Sequence, residues 1–482
     1  CAVFPGPLSG RWIAGAERFL YNASPIRAVR ASWRAAVTIQ VIKEMNILPL
    51  AKELNTVLES EAPAVLDMLS GLGKRLYFPK GIISQGAEAK AKADRFNATI
   101  GIATEGGVPM HLESMKKLFA MEPGEVFPYA PTAGRPDLRE LWRAKQLEEN
   151  PSMRDKTMGM PIVTSALTHG LGVAGDLFLD PGDRVILPAH FWGNYNLTFG
   201  VRNQCENETY PFYDDAGGFN SGALAQKLEE VGEKASRAVV VLNFPNNPTG
   251  YTPTPEAAAE IRDAIVGAAE NGLRQVVICD DAYFGLFFDD SCLQESIFGY
   301  LANCHPDVLA VKLDGATKEV FAWGFRVGFL TFAAGGAGDL DAVHTALEKK
   351  TMGSIRGGVS NSPNTTQSAV VRMLQDPEAA AQRKEKRDVL CARALRTREV
   401  LDDEKYVEAW DVYPFNSGYF MCVKLKGGVD AEDLRVHLLD KYGVGVISSS
   451  ATDIRVAFSC LEEGQIEEVF ELLLQAWKDL AG

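Results

Sequence analysis

The stretch DGATKEVFAWGFRVGFL, residues 314 to 330, sets Lys318 just past a nearly charge-free, strand-like run and Arg326 eight residues later. A charged head needs water or a partner. Either this is a solvated loop or something anionic is held there. Other chemistry-bearing residues stand at the ends of similar β-rich runs. Asn247 follows VVVLNF in PNNPTG, Asp280 and Tyr283 follow RQVVIC, and Trp192 follows DRVILPA in FWGNY. In open parallel sheets, ligands bind outside the carboxyl ends of the strands. An amine, a carboxylate, a phenol, an amide, an indole and a guanidinium would then converge on one crevice. An amine condenses with a carbonyl, and a carboxylate keeps a ring nitrogen protonated. An amide and a phenol bond a ring oxygen, an indole stacks, and a guanidinium holds a phosphate.

The elements that must position these groups are legible in outline. From about 160 to 335, β-rich runs (183–192, 237–245, 274–284, 307–315 and 325–332) alternate with helical stretches such as PTPEAAAEIRDAIVGAAENG. Near-continuous Val, Ile and Leu implies burial on both faces of a mostly parallel sheet. The steps from Asn247 to Asp280 (33 residues) and from Asp280 to Lys318 (38) each suit one strand–helix unit. The fold class expected is α/β: a large domain with a mostly parallel mixed sheet flanked by helices, plus a smaller α+β domain. The divisions expected are a lead over 1–44, an N-terminal helical arm with part of the small domain over 45–125, the large domain over 126–350, and the small C-terminal domain over 351–482. Within 126–350, Pro136 and Asp137 open a helix.

Composition bounds the partners. Lysine and arginine number 49 against 63 acids, a net charge of −14. That argues against nucleic acid or an anionic membrane as the main partner. Eight cysteines without a Cys-x-x-Cys pair read as reduced thiols of a cytoplasmic protein. The six histidines have no metal-ligand spacing, so no metal site is expected. No apolar run approaches the roughly 20 residues that span a bilayer. The Arg-rich, acid-poor lead resembles an organellar transit peptide; the blander reading, preferred here, is that translation starts at Met45.

One cofactor suits the converging groups: pyridoxal phosphate, with its aldehyde, ring nitrogen, phenolic oxygen, flat ring and phosphate. From about residue 98 to the C-terminus, in order and spacing, the chain resembles a class I aminotransferase of the pyridoxal-phosphate fold-type I group. It is most similar to the aspartate/aromatic branch. The resemblance implies that Lys318 is the Schiff-base lysine, that Asp280 pairs with the ring nitrogen, and that Asn247 and Tyr283 bond the ring oxygen. Arg326 would bind the phosphate and Trp192 would stack on the ring. The loop TSALTHG (164–170), opening a helix, resembles the family's phosphate loop, with Ala166, Leu167 and Thr168 at the contact positions. Thr317 stands next to the lysine, and Tyr129 matches the tyrosine that reaches the partner subunit's phosphate in such homodimers. Arg455, in DIRVAFS, matches the arginine that grips the substrate α-carboxylate. Arg356, in SIRGGVSNSP, resembles one that binds a side-chain carboxylate across the dimer interface.

The expected function is transfer of an amino group between an L-amino acid and a 2-oxo acid, dicarboxylic or aromatic, by a ping-pong course. A decarboxylase or C–S/β-lyase on the same fold is the alternative, and a non-catalytic cofactor-binding regulator a third. The chain departs from the family pattern in three places. Gly315 replaces the usual Ser or Thr three residues before the lysine. Ala166 and Leu167 stand where small or hydroxyl residues are common, and Ala103 falls where a glycine commonly meets the substrate carboxylate. Taken singly, Lys318 reads as a solvated lysine, Trp192 as core, and Arg356 as half of a surface ion pair. Asp281 rivals Asp280, but the three-residue step to Tyr283 favours Asp280.

Overall fold

Runs of Val, Ile and Leu become strands buried on both faces, as a sheet covered by helices requires. In Arg237–Asn243 every residue except Arg237 is buried, and Val308–Gly315 is buried apart from a partly covered Leu309. The computed structural model describes residues 47–78 and 81–481, so the lead over 1–44 and its targeting reading lie outside the described residues. The chain divides between Arg75 and Leu76 into two compact units. The described part of the first is three helices, Pro49–Glu61, Pro63–Met68 and Gly71–Arg75, with the Asn55 amide donating to the Lys74 carbonyl at 2.9 Å.

The second unit holds a seven-stranded sheet: β1 (Ile162–Thr164), β2 (Arg184–Pro188), β3 (Glu206–Tyr210), β4 (Arg237–Asn243), β5 (Arg274–Asp280), β6 (Val308–Gly315) and β7 (Gly328–Ala334). The spatial order is β1-β7-β6-β5-β4-β2-β3. Only β7 runs antiparallel to its neighbours. The sheet is therefore mixed and mostly parallel. Two of its strands carry little sequence signal: β1 is three residues long, and β3, ENETY, is a polar edge strand. The crossover helix Pro255–Glu270 starts where Thr254 caps it, its hydroxyl accepting from the Ala257 amide at 3.2 Å, with Pro255 at the first helical position. Its stripe Ala258, Ile261, Ile265 and Ala269 is buried.

A four-stranded antiparallel sheet follows: β8 (Trp410–Val412), β9 (Met421–Leu425), β10 (Ile447–Ser448) and β11 (Asp453–Val456), ordered β8-β9-β11-β10. Helices Pro377–Leu401, Ala431–Tyr442 and Ile466–Ala481 accompany it. Helix Leu340–Gly358 runs uninterrupted through residue 350. Among the described residues no helix is long and apolar enough to cross a membrane.

Register fixes what the strand ends present. Asn243 pairs with Asp280, and Asp280 with Leu313, so the ends of β4, β5 and β6 lie side by side. The start of helix Ala166–Phe178 is pressed onto this edge. A Cβ on Gly328 would lie 2.7 Å from the Ala166 carbonyl carbon, and one on Gly315 would lie 2.7 Å from the Val327 oxygen. Gly315 therefore has no room for a hydroxyl-bearing side chain, which is the physical reason for the first departure noted above. Between the two sheets, Gly250 at φ +73° packs where a Cβ would stand 1.9 Å from the Phe420 carbonyl oxygen.

Candidate active site

At these strand ends lies a cavity of about 260 Å³. Lys318 faces it from the turn after β6, its Nζ 4.1 Å from the centre of the Tyr283 ring. Burial lowers this lysine to about 8; Asp280 nearby opposes the shift and Arg326 adds to it. Asp280 ends β5 and is 2% exposed. Burial raises its carboxyl above the usual range, against three groups that favour the charge: the Tyr195 hydroxyl, Lys318 and the Ala282 amide. The Tyr195 hydroxyl donates to Asp280 Oδ2 at 2.6 Å and the Ala282 amide to Oδ1 at 3.1 Å. The neighbouring Asn243 side chain donates to the Asp280 carbonyl at 2.8 Å and accepts from the Asn247 amide at 2.8 Å, which locks the PNNPTG turn beside the strand.

One end of the cavity suits a phosphate. Leu167 and Thr168 line it from the first turn of helix Ala166–Phe178, where backbone N–H groups have no partner within the helix. Ala166 itself is buried behind them, at φ +65°. Arg326, also left-handed at φ +55°, brings its guanidinium to the same cavity, steadied by a bond of 3.2 Å from Nη1 to the Trp323 carbonyl. The Thr317 hydroxyl and the Trp323 indole nitrogen are buried without a hydrogen-bond partner, and both residues line the cavity. Trp192 forms another wall, edge-on to Tyr195 with 5.7 Å between ring centres.

The far end is cationic. Arg455, on β11 and 1% exposed, donates from Nη1 to Asn247 Oδ1 at 3.0 Å and from Nη2 to the Thr99 carbonyl at 2.8 Å. Its guanidinium carbon lies 4.1 Å from the centre of the Phe420 ring. Burial lowers its pKa, and among the described residues no carboxylate pairs with it. A buried cation without a counter-charge is costly unless something else supplies one.

The structure thus brings Lys318, Asp280, Tyr283, Asn247, Arg326, Trp192, Leu167, Thr168, Thr317 and Arg455 to one cavity. Ala103 is buried nearby in the core, and Gly101, two residues earlier, lines the cavity instead. Tyr129 is 91% exposed, away from the cavity. Arg356 is exposed near the end of its helix, bonded to the Ser360 hydroxyl at 2.6 Å. Sequence reasoning passed over Tyr195, Phe420 and Trp323. A tight-turn step of three residues from Trp192 to Tyr195, whose amide donates to the Trp192 carbonyl at 2.9 Å, was a usable signal; nothing local marked Phe420.

A family model described as aminotransferase class I and II matches residues 103–473. The chain belongs to this family. Aminotransferases of this class use pyridoxal phosphate, and this one is a pyridoxal-phosphate-dependent transaminase. Over 355 residues, 71% of this chain and 81% of the relative, it is 26% identical to a probable aspartate/prephenate aminotransferase of Aquifex aeolicus. Its match to a probable N-acetyl-LL-diaminopimelate aminotransferase of Bacillus subtilis is 27% identical and covers 46% of this chain and 51% of that protein. Among solved structures, an aminotransferase from Anaerococcus prevotii superposes with a TM-score of 0.75 at 22% identity, covering 85% of this chain and 99% of that one. A Pyrococcus horikoshii kynurenine aminotransferase, solved with PMP, superposes with a TM-score of 0.72 at 19% identity, covering 86% and 98%. These likenesses carry the fold. The cavity of this transaminase fits the cofactor on its own chemistry: an unpartnered hydroxyl and indole N–H, a guanidinium, a helix start, a buried carboxylate and an amine all line it.

Proposed function

We propose that this aminotransferase moves an amino group between an L-amino acid and a 2-oxo acid, with dicarboxylic or aromatic partners preferred, by a ping-pong course. One observation carries the reading: a lysine lowered to about 8 shares a cavity with a buried aspartate and a buried arginine that lacks a counter-charge. Pyridoxal phosphate supplies an aldehyde that condenses with amines and a ring that accepts electron density.

Asp280, oriented by Tyr195 and the Ala282 amide, would hold a proton on the ring nitrogen. Asn247 and Tyr283 would bond the ring oxygen, and Trp192 would pack against the ring. Arg326, Thr317 and the amides at Leu167 and Thr168 would hold the phosphate. Arg455 receives the substrate α-carboxylate as a planar fork and so turns the α C–H bond toward Lys318. Lys318, neutral in an appreciable fraction near pH 7 to 8, accepts that proton at Nζ and returns it. The donor leaves as a 2-oxo acid before the acceptor enters, so one set of residues serves both halves.

A homodimer fits the exposed side of the site. Phe127 and Tyr129 are 82% and 91% exposed, and the Asn361 side chain ties the Arg356 segment to the Ala130 carbonyl at 2.6 Å. A partner subunit covering this face would bring Tyr129 and Arg356 to the neighbouring site. The named aspartate/prephenate relative supports the dicarboxylic preference, and the scattered thiols suit a cytoplasmic enzyme. A donor-by-acceptor activity screen with Arg356→Ala alongside tests the substrate assignment. Acidic donors should lose preference in the variant, and unchanged preference removes the dicarboxylate reading. Sustained turnover, many product molecules per enzyme, without any 2-oxo acid acceptor would sink transamination itself.

A further inference from the structure

Behind the cofactor cavity lies a second one, of about 270 Å³. The two share a wall one residue thick. Tyr283 and Lys318 face the first cavity, while the residues that follow them, Phe284 and Glu319, face the second. Glu319 is 4% exposed; its Oε2 pairs with Lys145 at 2.5 Å, but its Oε1 is buried with no hydrogen-bond partner. Lys145 also holds Glu149 at 2.5 Å, and Glu149 takes Arg383 at 2.5 Å. The opposite wall is helix Pro377–Leu401, which presents Arg383, Lys384 and Arg387. Arg387 binds the Phe287 carbonyl through Nε and Nη2, which leaves Nη1 open, and Arg383 uses only Nη2. Phe284, Phe287 and Phe321 supply the apolar surface.

One end of this cavity therefore lacks a donor, the other offers unused guanidinium N–H groups, and aromatic rings lie between. The volume falls just under the roughly 300–1,000 Å³ of ligand pockets, too small for a nucleotide. We propose that the second cavity binds a free α-amino acid as its zwitterion. The ammonium donates to Glu319 Oε1, the carboxylate accepts from Arg383 and Arg387, and the side chain packs on the phenylalanines. Burial, helped by Glu149 and Asp314, pushes the Glu319 carboxyl up against the pull of Lys145, so an added cation beside Oε1 would hold it ionised. Because the chain segments at 283–284 and 318–319 are the shared wall, occupancy bears on the residues that meet the cofactor. This inference goes beyond the transaminase reading and does not rest on which substrates the first cavity takes.

The test is calorimetric titration of holoenzyme reduced with borohydride, in which Lys318 is blocked by the cofactor, using L-leucine, isoamylamine and isovalerate as probes. L-leucine should bind one to one, with each single-charge analogue at least ~10-fold weaker, equivalent to about 1.4 kcal/mol per tenfold step. Glu319→Gln and Arg387→Ala should each weaken leucine ~10-fold or more, while Arg455→Ala leaves it unchanged. Should Glu319→Gln fail to fold, Arg387→Ala and a space-filling Ala380→Trp, at a residue that lines the cavity, still decide. No leucine binding, or binding lost with Arg455→Ala and kept with Arg387→Ala and Ala380→Trp, overturns the proposal. Isovalerate binding as tightly as leucine and indifferent to Glu319→Gln overturns the zwitterion.

Discussion

Two lysine–aspartate sets stand back to back at the ends of β5 and β6. Asp281 and Lys312 form an ion pair, both about 1% exposed; Lys312 also lies 3.4 Å from Asp314, and Ser296 donates to Asp281 at 2.6 Å. Asp280 and Lys318, the neighbouring aspartate and the lysine six residues on, form no ion pair with each other; a tyrosine bonds the aspartate and a tyrosine ring lies by the lysine. The two lysines are shifted in opposite directions. Burial disfavours both charges, but Asp281, Asp314 and Glu319 overcome it at Lys312 and raise its pKa, whereas at Lys318 Asp280 alone does not, Arg326 adds to the shift, and the pKa falls to about 8. Charge balance separates a structural lysine from a reactive one. Residue type and depth do not.

Substitutions can break this contrast, starting with the largest effect. Lys318→Met should cut transamination by at least ~10³-fold, within the range of a lost general base, and abolish the visible absorbance of the loaded enzyme. The apoprotein should melt no lower than wild type, because a desolvated amine without an ion pair has been removed. A clear drop in melting temperature would make Lys318 structural after all. Lys312→Met should do the reverse. It leaves Asp281 and Asp314 buried without their cation and should cost about 3–5 kcal/mol of stability, read by urea unfolding. Wild-type stability in that variant would erase the distinction. Arg455→Ala should raise the KM for the amino donor, by roughly 2 kcal/mol or ~30-fold, as for a lost hydrogen-bonded charge; an unchanged KM would move the carboxylate elsewhere.

Smaller effects sharpen the picture. The folded apoprotein releases the Lys318 proton at about 8, the unfolded chain at 10.5. Between those values the unfolded state binds more protons, so wild-type apoprotein should gain stability relative to Lys318→Met as pH rises from 8 to 10.5. A flat difference over that window would show that the lysine is not shifted. Tyr195→Phe removes one bond to Asp280 and should cost about 1 kcal/mol, seen as a several-fold loss in kcat with binding of the amino donor little changed.

The sequence by itself determined the architecture and which residues gather at one sheet edge. Buried Val-, Ile- and Leu-rich runs can only be strands covered on both faces, and residues just past them must gather at one sheet edge. That logic reached Asn247, Asp280, Tyr283, Lys318 and Arg326 before any coordinates. It could not find β1, too short to show a period, or β3, too polar to look like a strand. Tertiary structure decided the rest. That Asp281, the rival of Asp280, is engaged in a buried ion pair with Lys312 on the other side of the strand follows from alternation and register, which set consecutive residues on opposite sides. Gly101 rather than Ala103 reaches the cavity, and Gly315 cannot carry a side chain, because neighbouring backbones approach too closely there. The opposite pKa shifts of Lys312 and Lys318 depend on how many carboxylates stand within a few ångströms. That number is a property of packed space, and a linear order of residues does not contain it.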